Sequence, residues 1–188
     1  MRLTGALALL VMTGQVLASS GYVHGSDHCY YFSAPVGWEM SNRALASEGV
    51  PMAFYPKGTT WNSAPYAMYS RPIELPAGKG DPIRQVTKDV VAMYAEAGEA
   101  VEARKIESIN SEFGESGELW AFTGISSGGL ELVAYFPGEN TINYFVAQIG
   151  SETLRNEAKE ALLELAGSYR EANDCKPCGE SNVCGASR

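Results

Sequence analysis

Leu130-Glu131-Leu132-Val133-Ala134-Tyr135-Phe136 and Thr141-Ile142-Asn143-Tyr144-Phe145-Val146-Ala147-Gln148-Ile149 decide the fold. Both segments are β-prone and carry apolar residues at consecutive positions. Successive side chains of a strand point to opposite faces, so a run of this kind is apolar on both. Such strands need cover on both sides. Pro137-Gly138-Glu139-Asn140, between them, has the length and chemistry of a hairpin connection.

Two further strand segments precede this pair, at residues 100–109 and 118–125. Phe113-Gly114-Glu115-Ser116-Gly117 and Ser126-Ser127-Gly128-Gly129 join the segments as turns, which makes a four-stranded antiparallel meander. Cover comes from two helices. Asp81-Pro82 starts the first, with Asp81 as cap and Pro82 at the first helical position. Ile83, Val86, Val90, Met93 and Ala97 follow at helical spacing, and Gly98 supplies a left-handed stop. Arg84, Lys88, Asp89 and Glu96 take the wet side. The second helix runs from Ser151 to about Ala172, with Leu154, Ala158, Ala161, Leu162, Leu165 and Tyr169 as its buried stripe. The expected fold is α+β, an antiparallel sheet with helices on both faces.

Nearer the N-terminus, residues 29–33, 51–55 and 64–74 read as extended segments. Ala34-Pro35-Val36-Gly37-Trp38 is a turn leading into a buried aromatic. Residues 41–49 are a helical turn or a loop. Residues 59–63 form a polar loop carrying Trp61. Tyr66, Tyr69, Trp120, Tyr135 and Tyr144 are strand aromatics and read as core. Trp61 is the exception: on a polar loop it is either tucked onto the sheet or an exposed contact anchor for a partner.

The chain opens on Met1-Arg2, a charge-free apolar run over residues 3–17, and the small residues Ala18-Ser19-Ser20. That order is a secretory signal peptide, cleaved after Ala18 or Ser20. The run is too short for a membrane span. Residues 1–20 are therefore expected to be removed, residues 21–28 to form a mobile leader, residues 29–172 a single domain, and residues 173–188 a Cys-rich tail. A periplasmic or secreted protein follows, with no membrane span after signal removal. The net charge is −8. So acidic a chain is repelled by phosphate backbones and anionic headgroups, which speaks against nucleic acid and membrane surfaces as partners.

Four cysteines in an exported chain argue for disulfides. Cys29 stands at the start of the domain, and Cys175, Cys178 and Cys184 stand in the tail. Any complete pairing joins Cys29 to the tail, and sequence alone does not choose which cysteine it takes. The alternative is a metal- or redox-handling cluster. Cys29, Cys175, Cys178 and Cys184, with His28 as a substitute ligand, have the donor types of a tetrahedral thiolate site. Cys175-Lys176-Pro177-Cys178 also has the spacing of a redox dithiol, although it follows a helix instead of opening one. Cleavage after Gly21 would leave Tyr22-Val23-His24 as a terminus suited to square-planar copper.

Gly124-Ile125-Ser126-Ser127-Gly128 has the letters of a nucleophile elbow. That motif works at a strand-to-helix turn, with a histidine later in the chain. Here a strand follows, and His24 and His28 both lie upstream. A hairpin turn is the expectation, and no catalytic residue or cofactor is assigned.

The order of strands, helix, meander and long C-terminal helix, together with Pro35-Val36-Gly37-Trp38 and the later Pro56-Lys57-Gly58 turn, resembles the PsbP-like α/β/α sandwich. That group includes the photosystem extrinsic PsbP proteins and the periplasmic DcrB-like proteins. The resemblance spans about residues 29–172. It implies an accessory or binding role without catalysis and carries over no functional residue. The expected function is thus an exported, non-enzymatic protein that recognises an envelope protein or a small molecule.

Overall fold

The computed structural model describes residues 18–76, 80–125 and 129–172. In chain order the strands are β1 (Ser20–His24), β2 (Cys29–Ser33), β3 (Trp38–Ser41), β4 (Met52–Pro56) and β5 (Tyr66–Glu74). Helix α1 (Pro82–Glu96) follows. Then come β6 (Glu102–Asn110), β7 (Ser116–Ile125), β8 (Gly129–Pro137), β9 (Thr141–Ile149), helix α2 (Arg155–Gly167) and β10 (Arg170–Glu171). All pairings are antiparallel. The meander β6 to β9 is present, with every strand within two residues of its expected limits.

Two sheets form instead of one. The larger has the order β3-β4-β5-β9-β8-β7-β6, and the smaller has β1-β2-β10. The expected leader is a correction: residues 20–24 are not loose but pair with β2 from Ser20↔Ser33 to His24↔Cys29. Val23 is buried, and its side chain reaches the core beside Tyr30 and Phe32. A polar-looking N-terminal stretch therefore gains order from an apolar contact that its own sequence does not advertise.

Alternation in the central strands sorts the core into two clusters. Leu130, Leu132, Ala134 and Phe136 of β8 join Phe145, Ala147 and Ile149 of β9 in the first. Ala158, Leu162 and Leu165 of α2 pack into that cluster, and so do Tyr30 and Phe32 of the small sheet. Val133, Tyr135, Ile142 and Val146 form the second, with Ile83 and Val86 of α1. Three alanines on α2, at 158, 161 and 166, are buried and let its backbone approach the sheet closely.

The caps explain where the helices lie. Asp81 Oδ1 accepts hydrogen bonds from the Ile83 and Arg84 amides at 3.0 and 3.2 Å, so α1 begins as expected. Its stripe continues through Val90 to Tyr94. Met93 was expected inside and is 57 % exposed.

The second helix is shorter than the expected run to Ala172. A single 3-10 turn at Glu152–Leu154 precedes α2, and Ser151 makes no capping bond to a backbone amide. At the far end, the Ser168 hydroxyl accepts from the Ser33 amide at 2.8 Å and lies 2.6 Å from the Leu165 carbonyl oxygen. This hydroxyl ties the helix end to β2, and the chain then leaves the helix to pair as β10. Tyr169 is buried as expected, but from the turn: its ring stacks on Phe136 at 4.3 Å and its hydroxyl accepts from Asn143 Nδ2 at 3.0 Å.

The Pro35-Val36-Gly37-Trp38 element is a tight turn. The Trp38 amide donates to Pro35 O at 3.0 Å, with Gly37 at φ 82°. Only glycine takes that conformation at little cost. Trp38 itself is half-buried, not buried, and lies against Tyr66 with centroids 5.3 Å apart.

Leu132 is 2 % exposed at the centre of the first cluster. Leu132→Asp is expected to unfold the domain, because an unpaired buried charge costs roughly 3–5 kcal/mol against a total of about 5–15. Near-UV circular dichroism and thermal melting check it; a native spectrum with an unchanged Tm would refute the two-sided burial.

Candidate functional site

Trp61 and Glu131 line one cleft at the end of the large sheet. Trp61 sits on a folded turn. The Ser63 and Ala64 amides both donate to Thr60 O, at 3.1 and 2.9 Å, and Ser63 Oγ accepts from the Thr60 amide at 2.9 Å. The indole is half-buried. It lies edge-on to Tyr69 with centroids 6.3 Å apart and packs beside Leu45, Val50 and Ala53. It is therefore a held wall and not a freely exposed anchor.

Beside that wall lies an open cleft of about 340 Å3. Tyr66, Ile125, Leu130 and Ile149 supply its apolar lining, and Glu131 and Gln148 its polar groups. Glu131 and Gln148 are direct partners across β8 and β9. Gln148 Nε2 donates to Glu131 Oε1 at 3.1 Å, and the Tyr94 hydroxyl of α1 donates to Oε2 at 3.3 Å. Burial raises the Glu131 carboxyl above its usual range, against the opposing pull of these two hydrogen bonds. Burial likewise raises Tyr94 to about 12, with Glu131 adding to the effect. Tyr69, Tyr135 and Tyr144 are also raised, mainly by burial and in part by the charge of Glu131.

Sequence reasoning named Trp61 and missed Glu131, Gln148 and Tyr94. The signal was present: one carboxylate inside an otherwise apolar strand, and one glutamine at the matching place in the next. Chemically the arrangement can hold a ligand by an aromatic wall and a hydrogen-bonded carboxylate. Among the described lining residues there is no serine, cysteine, histidine or lysine to act as a nucleophile.

The elbow-like motif begins at Gly124, whose role is steric. Its φ is 85°, and a Cβ there would stand 2.3 Å from Ala100 O. Ile125 pairs with Gly129 across the turn, so the motif joins two strands, as expected of a hairpin. Ser126 itself lies outside the described residues.

Cys29 is 2 % exposed, and its Sγ lies 3.3 Å from Ala172 O. The Ala172 amide donates to Cys29 O at 2.9 Å, so Ala172 is held beside this sulfur. Cys175, Cys178 and Cys184 lie outside the described residues. His28 stands one residue before Cys29, its ring over Gly25, and burial lowers its pKa while Asp27 opposes the effect. No group of three histidine, cysteine or acidic residues placed to hold a metal occurs among the described residues. Tyr22, Val23 and His24 are committed to β1 pairing, so a square-planar copper site on their amides would cost that strand.

The architecture is that of the PsbP-like proteins. The structure is similar to the solution structure of cyanobacterial PsbP (CyanoP) from Synechocystis sp. PCC 6803, with a TM-score of 0.53 and 18 % sequence identity over 89 % of this chain and 100 % of that one. At that identity the likeness is one of fold. No family model and no curated protein matches the sequence.

Glu131→Gln tests the electrostatics of the cleft. The raised carboxyl means the folded chain holds this proton more tightly than the unfolded chain does. The resulting penalty is absent below the unfolded pKa and grows as pH rises through the folded one. The amide keeps an acceptor for Tyr94 without the charge. Glu131→Gln is therefore expected to melt above wild type at about pH 7, with the difference vanishing towards about pH 4. Thermal denaturation across that range checks it; a lower Tm at neutral pH would show that the charge is stabilising.

Proposed function

We propose that this chain is an exported, non-enzymatic accessory protein whose output is a contact made at the Trp61 cleft. One observation carries this reading: a tryptophan pre-held by its own turn and by Tyr69 forms the wall of an open cleft that also contains a hydrogen-bonded carboxylate. An aromatic fixed before binding loses little entropy when a partner arrives. The PsbP-like fold supports an accessory role. The α/β/α layering belongs to the same reading, supported by the division of the two apolar clusters between α2 and α1. The described residues contain no helix long and apolar enough to cross a membrane.

Trp61→Ala is expected to weaken partner capture by about 1–3 kcal/mol, the range of an anchoring aromatic. The measurement is quantitative pull-down from the native envelope fraction against a variant altered on the far α2 face. Equal capture by Trp61→Ala and wild type would overturn the reading, and so would turnover in an esterase and protease panel that is lost in Ser126→Ala.

Export and crosslinking complete the proposal. Residues 1–18 act as the signal, two residues short of the expected 1–20. Cleavage after Ala18 best suits the fold, because Ser19 O accepts from the Ala34 amide at 2.8 Å and Ser20 opens β1. Cys29 bonds to one tail cysteine, and the other two tail cysteines pair together. Its burial, and the position beside it of Ala172, three residues before Cys175, support that bond. Closing so long a loop is worth on the order of 4–5 kcal/mol. Non-reducing peptide mapping is expected to link the Cys29 peptide to one from residues 175–188 and to place the mature N-terminus between Ser19 and Tyr22. Four free thiols in freshly exported protein would exclude the crosslink.

A further inference from the structure

The Trp61 cleft has a charge sense as well as a shape. Both oxygens of Glu131 are engaged, but only by neutral donors, the Gln148 amide and the Tyr94 hydroxyl. The ion pairs among the described residues are Arg84–Asp81, Lys105–Glu118, Arg155–Glu152 and Lys159–Glu107, and none of them involves Glu131. No lysine, arginine or histidine is among the described residues that line the cleft. A carboxylate partly withdrawn from water thus faces a cavity with no counter-charge. The wall beside it is an indole, whose face attracts cations through its quadrupole. An anion entering here would meet Glu131 and the field of a chain of net charge −8.

We propose that this cleft binds a small organic ammonium group, seated between the Trp61 ring and the Glu131 carboxylate. The proposal rests on the reading of the cleft as the contact site and names the chemistry it would recognise. The occupant supplies the positive charge that no described residue provides. Ile125, on the same face as Glu131, meets the methyl or methylene groups around the nitrogen, an environment that favours a weakly hydrated alkylammonium over a metal ion. The same chemistry can arrive as a free quaternary amine or as a lysine side chain of a partner protein.

The test uses the full mature chain and four probes: choline, its uncharged isostere with carbon in place of nitrogen, the amide of acetyl-lysine, and butanoate. Heteronuclear NMR follows the Trp61 indole N–H and the Gln148 side-chain amide. Saturable shifts at both groups are expected from at least one of the two cations, with an affinity roughly tenfold above that of the uncharged isostere. Butanoate is expected to leave both signals in place. Choline binding alone points to a free amine; acetyl-lysine amide binding points to a partner's side chain. Glu131→Gln should reduce cation binding to the level of the isostere, and Trp61→Phe should retain more of it than Trp61→Ala.

Equal affinity for choline and its isostere, or no saturable shift with either cation, would overturn the proposal. So would cation binding that survives Glu131→Gln unchanged. If cations fail to bind while Trp61-dependent partner capture persists, this inference falls alone. If capture is also independent of Trp61, the reading beneath it falls as well.

Discussion

The structure depends on β8 and β9 being buried on both faces. Each strand sends alternate side chains into two separate apolar clusters, and each cluster is completed by elements distant in sequence. One takes α2 and the small sheet; the other takes α1. Neither strand could remain in water without this cover. The pair is the keel, and β5 on one side and β7 on the other extend it.

A polar residue on such a strand stands out energetically. Glu131 is held in place by β8 and half-buried by its neighbours, so its carboxyl gives up solvation that two neutral donors restore only in part. Asn143 on β9 meets the same difficulty on the other face and resolves it fully, through Tyr169 and Thr141. Tyr30 does likewise with the Ser70 hydroxyl at 2.7 Å. These closed pairs bind the small sheet and the turn after α2 to the large sheet. Glu131 differs from them in opening onto a cleft, which makes it the chemically informative residue of the core.

Much of the fold was legible in the sequence because periodicity reports burial. The meander, the Asp81 cap and the apolar positions of α2 were all readable from local pattern. The order of the first strands was not. Residues 20–24 carry one buried apolar side chain, Val23, and no turn or period announces that they will pair with β2. The end of α2 was hidden for a similar reason. Its helical period continues through Tyr169, but the Ser168 bond to Ser33 redirects the chain, and Ser33 lies 135 residues away. As for the site, Trp61 was found because a tryptophan in a polar loop is conspicuous, whereas Glu131 was passed over inside a strand that looked uniformly apolar.

The sequence by itself determined the four strands of the meander, the start of α1 and the apolar stripe of α2. Those properties follow from side-chain alternation and backbone chemistry, which act over a few residues. The tertiary structure alone decided that a second sheet forms, that Tyr94 of α1 reaches Glu131, and that Trp61 lines the same cleft as that carboxylate. Each of these requires residues tens of positions apart to meet. Such meetings are set by the packing of whole elements around two shared cores, and no local pattern encodes that.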